Sequence, residues 1–140
     1  MSQGYRFETL EVGMQATFRK TITEADIVNF AGVSSDFNPI HVDEEFASQT
    51  QFKGRIAHGM LSAAYISAVL GMQSPGPGAI YLDQSLSFRG SVRIGDSLLV
   101  RVELIDLRPD KNIVTFSTSC LVKGKPVVTG EAVVMVPSQG

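Results

Sequence analysis

Cysteine is nearly absent: the 140 residues hold one, Cys120. One thiol cannot close an intramolecular disulfide or build a cysteine-rich metal site. Cys120 reads instead as a small buried hydrophobe in a strand. An excess of positive charge is also missing. Twelve Lys and Arg stand against 14 Asp and Glu, a formal net charge of -2. The basic footprint of a nucleic-acid binder is therefore lacking, and no run of like charge marks a tail. The opening "MSQGYRFETL" has no basic region followed by an apolar core, which argues against a signal peptide. No apolar run is long enough to span a bilayer. There is no internal repeat and no low-complexity segment. These absences leave a soluble cytoplasmic protein as the simplest expectation.

What is present suits a folded chain. Hydrophobic residues make up 44% and charged residues 19%, a balance that favours folding over disorder. The length fits one domain over residues 1–140 with a real core. The one break in composition is "GMQSPGPGA", Gly71 to Ala79, whose Pro and Gly residues mark a loop. It separates a helical first half from a strand-rich second half.

In the first half, Ala16 to Ile22 fits a short strand. Thr23 fits an N-cap, with Asp26 three residues on. Ile27, Phe30 and Ala31 give an apolar i, i+3, i+4 stripe, and the helix is expected to stop near Gly32. Asp43 to Gln49 fits one or two turns capped by Asp43. His58 to Met72, "HGMLSAAYISAVLGM", is apolar almost all round and carries no charge after His58. Such a helix belongs inside a structure.

After the loop the period becomes two. Tyr81–Arg89, Leu98–Leu107, Ile113–Val122 and Val127–Val136 read as strands, with Val100, Val102 and Leu104 sharing one face. "RPDKN" and "KGKP" read as hairpin connections, so the strands are antiparallel. A long twisted antiparallel sheet can curl around the apolar helix and cover it. The expected class is α+β, a curled sheet wrapped on one long central helix. Such a sheet keeps open edges, and pairing with a second copy hides one of them.

The chemistry concentrates in "SSDFNPIHVDEEFA", Ser34 to Ala47. Asp and Asn bond their own backbone in turns, and Pro39 disfavours the α conformation at Asn38, so a purely structural turn is one reading. The other is catalytic. The chain has two histidines, His41 and His58, both at the edges of elements. A rigid proline turn aims an acid, Asp36, and an imidazole, His41, at one point. "AHGML" places Gly59 near the first turn of the apolar helix, where unpaired N–H groups and a positive dipole end lie. Glycine there lets a carbonyl approach closely, as an oxyanion site requires. Together these suit a reaction through an enolate, such as water adding to an α,β-unsaturated thioester.

"FAGVSSDFNPIHVDEEFA", then "RIAHGML", then "SLSFRGSVRIGD" resembles the MaoC-like dehydratases, and more narrowly the (R)-specific enoyl-CoA hydratases. The resemblance runs from Glu11 to Pro137. Ser35 departs from it, since the family often has Gly before the Asp. The resemblance implies a hot-dog fold and a homodimer. It implies that Asp36 and His41 activate one water for syn addition, and that the Gly59 N–H binds the thioester oxygen. It places Ser67 where it supports hydrogen bonds at the site, and Asn38 where it holds the turn. It implies an acyl-CoA or acyl-carrier-protein thioester as substrate, with no metal or redox cofactor.

Other residues have two readings. His58 is either a helix-start residue with a buried hydrogen bond or a substrate-binding one. Ser67 can simply bond back to the carbonyl of Ala63. Arg55, Lys53, Arg89 and Arg93 are either solvated cations or partners for coenzyme A phosphates. Tyr65, Met60, Leu70 and Met72 pack the core or line an acyl tunnel. Three rival functions stand beside hydration. A hot-dog thioesterase commonly uses a carboxylate on or near the central helix, and Gly59–Met72 has none. A non-catalytic acyl-CoA-binding module has no need of the Asp36–His41 pair. A metal hydrolase is the most distant, because His41 and His58 are not at i, i+4 spacing.

Overall fold

A computed structural model describes residues 4–138, so the first three residues of the opening stretch and the last two of the chain lie outside it. A single 3-10 turn at Phe7–Thr9 precedes strand β1, Gln15–Thr21. Helix α1 runs over Glu24–Ser34, and two short helices follow, α2 at Pro39–Val42 and α3 at Glu44–Ser48. Helix α4, Gly59–Met72, is the long apolar one. Five strands complete the chain: β2 Ile80–Gln84, β3 Ser87–Phe88, β4 Ser97–Arg108, β5 Ile113–Val122 and β6 Lys125–Met135.

The strands form one antiparallel sheet in the order β1-β4-β5-β6-β2, with β3 also paired to β6. Its core face follows the expected alternation. Val100, Val102 and Leu104 of β4 lie opposite Cys120, Thr118 and Phe116 of β5, and all six are buried. Burial pushes the Cys120 thiol up to about 12, which fits an inert packing residue rather than a reactive one. The β5–β6 connection is the two-residue turn Lys123–Gly124. Both residues have positive φ, as a twisted hairpin of type I′ demands.

Helix α4 lies against this face and buries Leu61, Ile66, Val69 and Leu70. Each such burial is worth roughly 1.5–3 kcal/mol, so the helix is held by packing rather than by its own capping. The wrapping is incomplete, however. Met60, Ala64, Ser67, Ala68 and Gly71 fall on one stripe of α4 and stay exposed. One side of an almost wholly apolar helix therefore has no cover from its own sheet.

Three boundaries differ from the sequence reading. Helix α1 passes through Gly32 and ends at Ser34, because the left-handed residue that stops it is Ser35, with φ +65°. The Asn38–Pro39 step begins a helix as well as leaving one: Pro39 opens α2, where a missing N–H costs nothing. The strand expected over Tyr81–Arg89 is broken into β2 and β3. At the break the carbonyl of Ser85 sits so close to Gly130 of β6 that a side chain there would collide with it.

Candidate active site

The loop between α1 and α2 is built from short side-chain-to-backbone bonds. The Ser34 hydroxyl donates back to the Phe30 carbonyl (2.7 Å) and accepts from the Asp36 N–H (3.1 Å). Ser35 then turns the chain through its left-handed conformation, which explains why glycine suits this position. Asp36 Oδ1 accepts from the Asn38 N–H at 3.1 Å, and Asn38 Oδ1 accepts from the Ile40 N–H at 3.1 Å. The Asn38 carboxamide oxygen is thus the cap of α2, so the residue holds the turn. Asp36 is exposed, with Oδ2 left for other partners.

His41 sits in α2 and is largely buried. A backbone bracket fixes it. The Ile56 N–H donates to the Ile40 carbonyl (3.2 Å), and the Ile56 carbonyl meets His41 Nδ1 at 2.8 Å. A carbonyl can only accept, so Nδ1 carries the proton and neutral His41 keeps its lone pair on Nε2. Burial pushes the imidazole below its ordinary value; the Ile56 bond opposes this, His58 adds to it and the Asp36 charge opposes it. Neutral His41 can therefore accept a proton at Nε2 near neutral pH.

His58 is the N-cap of α4, yet its side chain makes no capping bond. Its ring stacks on His41 with centroids 3.9 Å apart, and its Nε2 meets the Asp36 backbone carbonyl at 2.9 Å. Candidate metal-ligand atoms of Asp36, His41 and His58 lie within 4.8 Å of one another. A carbonyl bond on one nitrogen leaves the other nitrogen of each ring free, as in metal-bound histidines, but the stacked rings direct their nitrogens along planes only 28° apart. That arrangement suits proton handling better than two ligands converging on one ion.

These groups face a cavity of about 550 Å³. Asp36, His41 and His58 line it together with Gly59 and Met60 at the start of α4, and with Phe88, whose ring packs against Gly59, and Arg89. Gly59 opens a helix of 14 residues, so its N–H has no partner within the helix and sits at the positive dipole end. A carboxylate, two imidazoles and the start of a long helix thus share one apolar cavity.

Met60 also lines a second cavity of about 500 Å³ between α4 and β2, bounded by Ala63, Ala64, Ser67, Tyr81 and Gln84 among others. Within one chain Ser67 belongs to this second cavity and not to the Asp36–His41 wall. Ser67 and Tyr81 in turn border a third space of about 180 Å³ that Leu70 also lines. Of the remaining tunnel candidates, Tyr65 faces Phe18 and Met72 is exposed.

The cations divide. Arg55 Nε donates to the His41 carbonyl at 2.6 Å, and its guanidinium pairs with Glu24 at 2.8 Å. Arg93 donates to the Phe52 carbonyl. Both are tied into the scaffold. Arg89 lines the cavity and donates to Thr129 Oγ1 at 2.8 Å. Sequence reasoning missed the Ile56 carbonyl, which has no side-chain signature, and the positioning bond of Arg55. It also missed the contact of Phe88 with Gly59, although Phe88 lies inside the "SLSFRGSVRIGD" stretch.

The model of the MaoC like domain matches residues 7–131. The chain belongs to the MaoC-like family. An (R)-specific enoyl-CoA hydratase of Rhodospirillum rubrum is 57% identical over 134 residues, covering 96% of this chain and 93% of that protein. Among solved structures, the (R)-hydratase of A. caviae involved in PHA biosynthesis superposes with a TM-score of 0.90 at 47% identity, covering 93% of this chain and 99% of that one. The unliganded R-hydratase of Pseudomonas aeruginosa gives a TM-score of 0.92 at 47% identity, covering 97% and 88%. The curled sheet on a central helix is the hot-dog fold of these MaoC-like neighbours.

Proposed function

We propose that this protein adds water to a trans-2-enoyl-CoA to give the (R)-3-hydroxyacyl-CoA, and catalyses the reverse dehydration. The observation that carries this reading is the Asp36–His41 pair on the wall of an apolar cavity that the N-terminus of α4 enters at Gly59. The (R)-specific enoyl-CoA hydratase name of the R. rubrum relative supports it.

In this mechanism one water sits between the Asp36 carboxylate and His41 Nε2. Its oxygen bonds to C3 of the enoyl group as one of its protons passes to the pair. The C2–C3 π electrons move toward the thioester, and the Gly59 N–H stabilises the enolate oxygen. The enolate then collapses and takes the proton back at C2 from the same side. Every atom of the water ends in the product. Proton transfer is assigned to the pair as a unit, because coupled groups titrate together. The acyl chain extends past Met60 into the second cavity.

The active form is a homodimer that works in the cytoplasm. The uncovered stripe of α4 and the apolar β2 edge support the dimer. Coenzyme A is the expected carrier, with acyl-carrier-protein thioesters as the second choice.

The test is hydration of crotonyl-CoA, followed by loss of the conjugated enoyl-thioester absorbance, with the product's hand read by an (R)-specific dehydrogenase. Rapid loss with (R) product is expected. Release of free thiol instead would make the protein a thioesterase. No chemistry on short, long or carrier-protein enoyl thioesters would make it a binding module.

A further inference from the structure

His58 lies outside the pair that handles the proton, yet the structure invests heavily in its ring. It occupies the N-cap of α4, where Ser, Thr, Asp or Asn ordinarily caps the helix through a side-chain oxygen. His58 does not do this. It is 2% exposed, and its ring lies between the face of His41 (centroids 3.9 Å, planes 28° apart) and the ring of Phe30 in α1 (5.0 Å, edge-on). Its Nε2 is 2.9 Å from the Asp36 carbonyl. The other nitrogen, Nδ1, is buried with no hydrogen-bond partner among the described residues. A helix start that gives up its cap and buries a bare nitrogen is not arranged for local stability alone.

The carbonyl of Asp36 accepts and cannot donate, so His58 carries its proton on Nε2. By the same reasoning His41 carries its proton on Nδ1. The two stacked imidazoles thus hold opposite tautomers, each pinned by one backbone carbonyl. His41 is pinned to Ile56 and keeps Nε2 for chemistry. His58 is pinned to the peptide that carries the Asp36 side chain. It thereby ties the start of α4, and with it Gly59, to the Asp36 loop, while its face fixes the plane of His41.

We infer that His58 is a positioning residue: its Nε2–H bond to the Asp36 carbonyl and its stack on His41 set the distances among the carboxylate, the imidazole and the Gly59 N–H. It does not bind substrate through a ring nitrogen. The inference rests on the hydration reading for its kinetic consequence, but its tautomer consequence is independent of any reaction.

The first test needs no variant of His58. Uniformly 15N-labelled protein has only two imidazoles, and His41→Ala assigns them. Long-range 1H–15N spectra are expected to show a proton on His58 Nε2 and one on His41 Nδ1. A His58 with its proton on Nδ1 and a bare Nε2 overturns the inference whether or not the protein hydrates enoyl thioesters.

The second test compares His58→Gln, which keeps an N–H near the Nε2 position, with His58→Leu and His58→Phe. Leu keeps bulk, and Phe keeps a ring to stack. Leu and Phe are expected to lower kcat on crotonyl-CoA by about 10- to 100-fold, the scale of a misplaced catalytic group, with KM changed less than about threefold. Gln is expected to recover about tenfold over Leu. A raised KM with kcat intact would instead give His58 a substrate contact. Equal losses in Gln and Leu would remove the hydrogen bond from the argument. Wild type inactive on every enoyl thioester, with the tautomers as stated, would sink the hydration reading alone.

Discussion

Gly59→Ala separates the chemistry of the helix start from its stability. A methyl built on Gly59 lies 2.6 and 2.7 Å from two carbons of the Phe88 ring, so something must move. Phe88 is half-exposed on the two-residue strand β3, and its ring can swing outward. Overpacking of this kind costs about 1–3 kcal/mol. Ala over Gly returns up to about 1 kcal/mol in helix propensity. The net loss is then about 0–3 kcal/mol, and the fold is expected to survive. The new methyl also crowds the approach to the N–H that is to bind the enolate oxygen. Losing one oxyanion donor lowers kcat by about 10²–10³. The assay pairs chemical denaturation with crotonyl-CoA kinetics, on Gly59→Ala and on Gly59→Ala with Phe88→Ala. The double variant relieves the clash, so its stability is expected to show coupling between the two sites, while kcat stays low. Full kcat in Gly59→Ala would remove Gly59 from the mechanism. A higher KM with unchanged kcat would mean that the methyl obstructs substrate binding without touching the transition state.

Asp36→Asn and His41→Ala are each expected to cut turnover at least about a hundredfold, the usual loss of a general acid or base; Asp36→Asn should leave the unfolding midpoint little changed, His41→Ala should cost about 1–3 kcal/mol through the unmet Ile56 carbonyl, and near-normal turnover in either removes that residue. Because burial lowers the His41 pKa, kcat/KM is expected to fall on the acid side with a midpoint below 6.5. Stability follows the same sign: unfolded His41 takes up a proton near 6.5 and folded His41 only at lower pH, so this contribution is lost as pH falls from 6.5 through the folded value. Ser35→Gly is expected to stabilise the fold by about 0.5–1 kcal/mol, the left-handed cost to an L residue less the entropy cost of glycine, read as a higher denaturant midpoint. Arg55→Met is expected to cost about 1–3 kcal/mol, mainly through the unmet His41 carbonyl. Little comes from the Glu24 pair, since Glu24 is mostly exposed. KM for the CoA substrate should hold steady, whereas a large rise would return Arg55 to the phosphates.

The sequence was most legible where one residue type has one physical use. Thr23 and Asp26 do form a reciprocal capping box on α1, and Asp43 caps α3. The period-two runs became β4, β5 and β6 because one face of each is buried. The Asp36–His41 pair lies on one cavity wall, as the Asn-Pro spacing indicated. Less was legible where a residue had two uses. Pro39 disfavours helix at Asn38, yet it also opens the next helix. Arg55 fits a solvated cation or a phosphate partner in sequence, and in the fold it binds the carbonyl of His41. Ser67 lies on α4 as expected, but eight residues beyond Gly59, which is about 12 Å along a helix. Backbone groups such as the Ile56 carbonyl have no sequence signature at all. Contacts like Phe88 on Gly59 join positions far apart in the chain, so only the fold reveals them.

The two edges of the sheet are treated differently, and this bears on how the site is completed. Edge β1 carries Arg19 and Lys20, charges that discourage pairing with another strand. Edge β2 carries Ile80, Tyr81 and Leu82 in succession, 56%, 40% and 46% exposed, so both of its faces are apolar and open. Between β2 and the uncovered stripe of α4 lies the second cavity, the one assigned to the acyl chain. A second copy that pairs on β2 would therefore bury the edge and close that cavity in one step. Ile80→Lys tests the coupling, because Ile80 is exposed on β2 and does not line the cavity. Sedimentation is expected to show wild type at twice the mass of the chain and the variant at the monomer mass. If the partner closes the acyl cavity, the monomer should also lose kcat/KM, and more steeply for six-carbon than for four-carbon enoyl-CoA, because the longer chain reaches further past Met60. A monomeric wild type would remove the dimer. A monomeric variant with undiminished kcat/KM on both substrates would show that one chain builds the whole site, and that the open face of α4 serves something other than catalysis.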